Sequence, residues 1–296
     1  MTEHALVFVA SPEDKPAYRE ALLMLGRVAL NRKLPPPEVL SGWESAQWIY
    51  ESVDGELRQE AAAAVAELPV DWALVPVEGR KKKLLVADMD STVINVECLD
   101  ELADFAGIKA EIAAITERAM KGELEFEPAL RERVGKLKGL ALDALQKTYE
   151  ERVRLNPGAV TLVKTMAAHG ARCVLVSGGF TFFTSRVAKE AGFHANRANV
   201  LLDDGKTLTG AVKEPILGRA AKLEALRDEA AKLKITERDA LAIGDGANDL
   251  DMIKAAGLGV AYRAKPLVAA EANAKIDYMS LEAALFFQGY RRGEFQ

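Results

Sequence analysis

The sequence contains few cysteines and few histidines. Its 296 residues include two cysteines and three histidines, and none of them is arranged as a Cys-x-x-Cys pair or a Cys/His cluster. The two cysteines, Cys98 and Cys173, are also too few for a disulfide framework. We therefore expect neither a structural zinc site nor a fold held together by disulfides.

Long apolar runs and an excess of positive charge are also missing. Apolar runs such as Leu84–Ala87 and Cys173–Val176 are far shorter than the roughly 20 residues of a membrane span. The N-terminal stretch lacks the basic segment of a secretory signal. With 39 Lys+Arg against 44 Asp+Glu, the net charge is −5, which disfavours a nucleic-acid partner. These absences predict a cytoplasmic globular protein without a membrane or nucleic-acid partner.

Residues 1–80 have the element order of a separate ferredoxin-like unit. Apolar runs and helical periodicity predict the order βαββαβ. The predicted elements are the strand Ala5–Ala10, the helix Tyr18–Leu30, the strands Val39–Trp43 and Gln47–Ser52, the helix Glu56–Leu68 and the strand Trp72–Pro76. The basic run Arg80–Lys83 follows, and we expect it to be a solvated linker to the next strand.

Residues 81–296 alternate short apolar strands with helices, which is typical of an α/β parallel sheet buried on both faces. The predicted strands are Leu84–Ala87, Cys173–Val176, Ala240–Ile243 and Gly259–Ala261, and the predicted helices are Asn156–His169, Phe182–Ala191, Arg219–Lys232 and Leu250–Ala256. The stretch from 97 to about 155 is charged and helical, so it is predicted to be a cap inserted after the first strand. A β-hairpin is predicted to turn at Asp204-Gly205,.

Two carboxylates follow the first strand of this sheet. Asp88 and Asp90 are two residues apart in an extended segment, so both can face one site. Two such anions suit a divalent cation, with one carboxylate as nucleophile and the other as general acid and base in phosphoryl transfer. A lone Asp-x-Asp is more often a turn that caps a helix.

Polar residues also follow two later strands. The loop from Gly244 to Asp249 supplies Asp and Asn oxygens suited to Mg²⁺,, although an ordinary Asp-Gly turn is the alternative. Ser177-Gly178-Gly179 supplies a hydroxyl and amides for a phosphate,, although a helix N-cap is the commoner explanation. Ligands of open α/β sheets bind at the carboxyl ends of strands. Neither a Walker A motif nor GxGxxG nor GxSxG is present.

Together these motifs resemble the haloacid dehalogenase superfamily, and within it the phosphoserine phosphatase family. The resemblance covers about 81–280 and rests on DMDSTVINVECLDELA, GELEFEPALRERV, VSGGFTFF and GDGANDLDM, with Ser177 and Lys222 at the expected places. It implies a Rossmann-like parallel sheet with a helical cap. It also implies that the N-terminal unit is an ACT-like domain, although its SPEDKP turn lacks the glycine common at ligand sites of such domains. A structural role or a homodimer interface is equally open.

The resemblance assigns roles to the core residues. Asp88 would be the nucleophile, and Asp90 would protonate the leaving serine oxygen and then activate water. Mg²⁺ would be held by Asp88, the Asp90 backbone carbonyl, Asp245 and Asp249, the last through a water. The substrate would contact Ser177, Gly178, Lys222 and Asn248. Without the resemblance, Lys222 would be read as a solvated helix lysine.

The resemblance also assigns residues of the cap. Glu97 would face the substrate ammonium, Arg133 the carboxylate, and Phe126 an apolar wall,. An acid and a guanidinium for one small ligand describe an amino acid, so the expected activity is hydrolysis of O-phospho-L-serine, the last step of serine biosynthesis. The alternatives are another small phosphoester such as phosphohomoserine, phosphoryl transfer to an alcohol, and a non-catalytic sensor on this fold.

Overall fold

The N-terminal part forms the ferredoxin-like arrangement expected from its sequence. The computed structural model describes residues 3–51, 55–120 and 123–296. The first elements are β1 His4–Ala10, α1 Lys15–Asn31, β2 Glu38–Ser41, β3 Ser45–Tyr50, α2 Gly55–Ala64 and β4 Val70–Pro76. The strands are antiparallel in the order β2-β3-β1-β4, which confirms the predicted fold class. Ser52, the predicted end of β3, lies outside the described residues.

Strand β1 is buried on both of its faces. Leu6 and Phe8 pack with the side chains of α1 and α2, whereas Val7 and Val9 belong to the core cluster of the second half of the chain. Side chains alternate between the two faces of a strand, so each face of β1 serves a different core. This explains why β1 reads as a continuous apolar run.

The second half of the chain is an α/β sheet with helices on both faces. Its strands are β5 Leu84–Ala87, β6 Arg172–Phe180, β7 Ala195–Asn199, β8 Leu201–Asp203, β9 Leu208–Val212, β10 Ala240–Gly244, β11 Leu258–Tyr262 and β12 Ala274–Ile276. Its helices are α3 Cys98–Phe105, α4 Lys109–Met120, α5 Phe126–Lys136, α6 Asp143–Arg152, α7 Ala159–Ala168, α8 Thr181–Ala191, α9 Arg219–Leu233, α10 Leu250–Ala255, α11 Pro266–Glu271 and α12 Ala283–Phe287.

The cap and the hairpin occur where the sequence predicts them. Helices α3 to α6 fill the stretch from 97 to 155, and its described residues contain no named strand. Strands β8 and β9 form the antiparallel hairpin, with the Asp204 carboxylate accepting amide protons from Lys206 and Thr207. Among the described residues, no helix is both long and apolar enough to cross a bilayer.

The two halves of the chain share one sheet. The ten strands run β2-β3-β1-β4-β12-β11-β10-β5-β6-β7, and the halves join where β4 pairs with β12 through Ala73 and Ala274. Asp71, next to this junction, accepts amide protons from Asp277, Tyr278 and Met279. The N-terminal strands therefore continue the sheet of the second half.

The expectation that Arg80 is solvated was wrong. Arg80 is 8% exposed, and its guanidinium donates to the carbonyls of Phe286 and Phe287 and to the side chain of Gln47. Because a buried cation needs its donors satisfied, these bonds fix the connection between β4 and β5 against α12. Lys81 and Lys83 in the same run are exposed, as expected.

Candidate active site

Three neighbouring strands bring the polar segments together. The sheet places β5 between β10 and β6, and these parallel strands end at the same edge. Asp88 follows β5, Ser177 lies near the end of β6, and Asp245 follows β10. The structure thus collects the motifs at one edge of the sheet, where open α/β folds bind ligands.

Lys222 lies inside this site rather than in solvent. Its ammonium contacts Asp88 Oδ1 at 2.6 Å and Asp249 Oδ1 at 2.5 Å, and the three residues are 2%, 5% and 0% exposed. Burial lowers the pKa of Lys222, but the two carboxylates more than offset this and raise it. The lysine is therefore a buried cation between two anions, and the reading as a solvated helix lysine does not hold.

Asp88, Asp245 and Asp249 form a group suited to a metal ion. One carboxylate oxygen from each lies within 4.8 Å of the others. Burial, together with a smaller contribution from the charge of Asp249, raises the pKa of Asp245 to about 6. A side chain on Gly244 would collide with the Asp249 carboxyl, so glycine is needed there. Clustered carboxylate oxygens that repel one another fit a divalent cation, because its charge would relieve their repulsion.

Asp90 has hydrogen-bond partners outside that group. Its Oδ1 accepts the Cys98 amide proton at 3.0 Å, and its Oδ2 accepts the Ser177 hydroxyl at 3.2 Å. Burial raises the pKa of Asp90 to about 7, with a further contribution from the charge of Glu97. A carboxyl with a pKa near neutrality can both give and take a proton, which is what a general acid and base requires.

The phosphate-binding candidates Ser177 and Gly178 adjoin Asp90. The Ser177 hydroxyl accepts the Gly179 amide proton at 2.8 Å. A methyl group on Gly179 would lie 2.9 Å from Asp90 Oδ2, so a larger residue would press on the acid. Asn248 lies in the loop after β10, with its side-chain oxygen against Gly246.

The three candidates of the cap are Glu97, Phe126 and Arg133. Phe126 rests on two glycines, since a methyl group on either Gly178 or Gly218 would lie 3.4 Å from its ring. Burial lowers the pKa of Arg133, while the nearby charges of Asp100 and Glu97 raise it. Glu97 is exposed and lies near enough to influence both Asp90 and Arg133. Phe126 and Glu97 therefore lie near core candidates, and Arg133 lies near Glu97.

Four residues with supporting contacts were not predicted from the sequence. The Cys98 amide holds Asp90, Ser91 donates to Glu97 at 2.7 Å, and Thr92 donates to Asp245 at 3.0 Å. Asn199 bonds the Gly178 carbonyl at 2.8 Å. Ser91 and Thr92 belong to the DMDST motif, so the motif itself could have identified them as site residues. Nothing in the sequence marks Asn199.

A family comparison agrees with this geometry. The model of the haloacid dehalogenase-like hydrolases matches residues 85–254. A phosphoserine phosphatase of Polaromonas sp. is 48% identical over 208 residues, which cover 69% of this chain and 88% of the relative.

Two solved structures are also similar. A HAD family hydrolase of Salmonella enterica serovar Typhi has a TM-score of 0.84 at 28% identity and covers 97% of this chain and 98% of its own. A substrate-bound phosphoserine phosphatase has a TM-score of 0.65 at 37% identity and covers 70% and 98%. The shared architecture, the matched model and the identity over two thirds of the sequence show that this chain belongs to the haloacid dehalogenase-like hydrolase family.

Proposed function

We propose that this chain is a Mg²⁺-dependent phosphatase that hydrolyses O-phospho-L-serine to L-serine and phosphate. The observation that carries the proposal is the pairing of two carboxylates in different environments beside a buried lysine. Asp88 contacts Lys222, whereas Asp90 contacts Ser177 and has a pKa of about 7. Relatives that are named phosphoserine phosphatases support the choice of substrate.

The reaction has two steps on the chain's own groups. In the first, an Asp88 oxygen attacks phosphorus, the bond from phosphorus to the serine oxygen breaks, and protonated Asp90 gives its proton to that oxygen. In the second, Asp90 takes a proton from water as the water oxygen attacks phosphorus. The bond to Asp88 then breaks and phosphate leaves. Hydrolysis of an aspartyl-phosphate thus returns both carboxylates to their starting states.

We assign the phosphoryl group to Ser177, Gly178 and Lys222. The Ser177 hydroxyl and the Gly178 amide would donate to phosphoryl oxygens, and the Lys222 ammonium would offset their charge. This is supported by the position of Lys222, which is buried between Asp88 and Asp249. Asn248, in the metal-binding loop, is assigned to the substrate.

We propose Mg²⁺ as the metal, held by Asp88, Asp245, the Asp90 carbonyl and, through water, Asp249. When bound, it would supply positive charge to the phosphoryl oxygens. The oxygen-only donor group supports this, since Mg²⁺ prefers carboxylates and water,.

The amino-acid part of the substrate is assigned to the cap. Glu97 would bind the ammonium, Arg133 would bind the carboxylate through its planar guanidinium, and Phe126 would cover the apolar side. The contact of Phe126 with Gly178 supports a cap that closes over the phosphate, and closure would exclude bulk water.

We further propose that residues 1–80 and 81–296 are two domains, with the cap insert at about 97–155. The antiparallel order of β2-β3-β1-β4 supports the first boundary. We also propose a cytoplasmic location, which two buried free cysteines support,.

Phosphate release from L-phosphoserine, phosphohomoserine and p-nitrophenyl phosphate, each with Mg²⁺ and with EDTA, tests the proposal. We expect a strong Mg²⁺-dependent preference for phosphoserine. Equal hydrolysis of all three would keep the chemistry and refute the substrate. Product formed on an added alcohol would indicate a phosphotransferase, and no turnover of any ester would favour a sensor.

A further inference from the structure

Asn199 lies at the end of β7, where it is 2% exposed. Its amide nitrogen donates to the Gly178 carbonyl at 2.8 Å and to the Leu217 carbonyl at 3.2 Å, and its oxygen accepts the Leu217 amide proton at 2.7 Å. A buried amide with three bonds is expensive to disturb. Asn199 thus joins the end of β6 to the segment that precedes α9.

These two segments carry the glycines beneath Phe126. The Gly178 carbonyl accepts a hydrogen bond from Asn199. Gly218 directly follows Leu217, whose amide donates to Asn199. A methyl group on either glycine would lie 3.4 Å from the Phe126 ring. We call Gly178 and Gly218 the glycine platform. The platform is assembled from residues 40 positions apart (178 to 218), and the Asn199 amide bonds to both of its segments.

We propose that Asn199 is a positioning residue that aligns the glycine platform, so that Phe126 can seat and the cap can close over the substrate. This inference deepens the proposed function and rests on it. The amide suits the task, because it alone among similar side chains donates to two carbonyls and accepts from one N–H. An aspartate of the same shape would keep the acceptor and lose both donors.

The first test is Asn199→Asp, compared with Thr184→Val. Thr184 in α8 is also buried, and its hydroxyl donates at 2.8 Å to Asn196, which lies on β7 like Asn199. That bond does not involve the platform. We expect Asn199→Asp to lower kcat/KM on the order of 10- to 100-fold, as misplaced binding groups do. We expect Thr184→Val to stay within about threefold at a similar loss of Tm. Equal kinetic effects of the two variants would overturn the proposal.

The second test is a double-mutant cycle with Phe126→Ala. If Asn199 acts through the platform, adding Asn199→Asp to Phe126→Ala should lower kcat/KM by no more than about threefold further. Independent, multiplying effects would refute the link. The cycle is run on both phosphoserine and p-nitrophenyl phosphate. If the wild-type enzyme shows no preference for phosphoserine, the proposed substrate is refuted. The cycle still tests the role of Asn199, because kcat/KM of the variants can be compared on either ester that the enzyme hydrolyses.

Should Asn199→Asp fail to fold, Gly218→Val tests the platform from its other side. Gly218 has an extended backbone, with φ −95 and ψ −160, which valine adopts readily. A methyl group there would already lie 3.4 Å from the Phe126 ring, so we expect the larger valine side chain to displace Phe126. We expect a loss of kcat/KM like that of Phe126→Ala, and wild-type kcat/KM would overturn the proposal.

Discussion

Replacing Lys222 by methionine should cost both stability and activity. Methionine fills nearly the same volume but removes the charge that contacts Asp88 Oδ1 at 2.6 Å and Asp249 Oδ1 at 2.5 Å. The two carboxylates would then face each other in the buried site without a cation. Removing one partner of a buried ion pair leaves an uncompensated charge, which is far costlier than losing a surface pair.

The magnitude follows from the distances. At an effective dielectric constant of about 20, charges this close attract by about 6 kcal/mol before the cost of desolvation is subtracted. Measured losses for broken buried pairs are about 3–5 kcal/mol, so we expect a loss of this size for the protein in EDTA. Lys254→Met is the matched control, because Lys254 and Glu271 form an exposed pair at 2.8 Å, and such pairs contribute about 0–1 kcal/mol.

Urea denaturation in EDTA measures the loss of stability, and phosphate release in Mg²⁺ measures the loss of activity. Because Lys222 would stabilise charge on the transferring phosphoryl group, we expect kcat to fall on the order of 10²- to 10³-fold. An unfolding free energy equal to that of Lys254→Met would refute the buried-pair argument. Stability loss with activity within about threefold of wild type would refute the phosphoryl role alone.

Three further predictions concern the nucleophile, the cap and the domain junction. Asp88→Asn should lower phosphate release on the order of 10³-fold or more without lowering Tm, because an amide does not attack phosphorus; substantial residual turnover would contradict the assignment. Arg133→Lys should raise KM for phosphoserine about tenfold and leave p-nitrophenyl phosphate within about threefold, since the planar fork is lost; equal changes on both esters would remove Arg133 from substrate recognition. Burial raises the pKa of Asp71 from 3.8 to about 6. The folded state therefore binds this proton more tightly than the unfolded state, and the contribution of Asp71 to stability falls by about 3 kcal/mol as pH rises from about 4 to 6. Asp71→Asn should flatten that slope in urea denaturation, and an unchanged slope would contradict the pKa shift.

Local sequence was enough to predict the fold class and the edge of the sheet that carries the site. Unalternating runs such as Leu84–Ala87 indicate strands covered on both faces, and polar residues directly follow β5 and β10. Because parallel strands end at the same edge, the meeting of Asp88 and Asp245 followed from topology alone. The roles of Glu97 and Arg133 came from the resemblance and are still predictions.

Other features could not be predicted, because they depend on contacts between distant parts of the chain. The run at Arg80 has the composition of a solvated linker, yet its partners are 206 and 207 residues away, at Phe286 and Phe287. Likewise, β4 reads as the last strand of a separate unit, and its partner Ala274 in β12 belongs to the other half. Apolar periodicity indicates which face of a helix or strand is buried, but it does not indicate which distant residues cover that face.

Apolar periodicity and turn residues act over a few positions, so most of the strands and helices, the element order of the N-terminal unit and the two acidic motifs could be recognised from local sequence. By contrast, the burial of Lys222 between Asp88 and Asp249 and the bonds from Asn199 to the glycine platform become visible only in the folded chain. The same local sequence around a charged or amide side chain is compatible with a solvated and with a buried position. The choice between these states depends on whether distant partners satisfy its hydrogen bonds and charge.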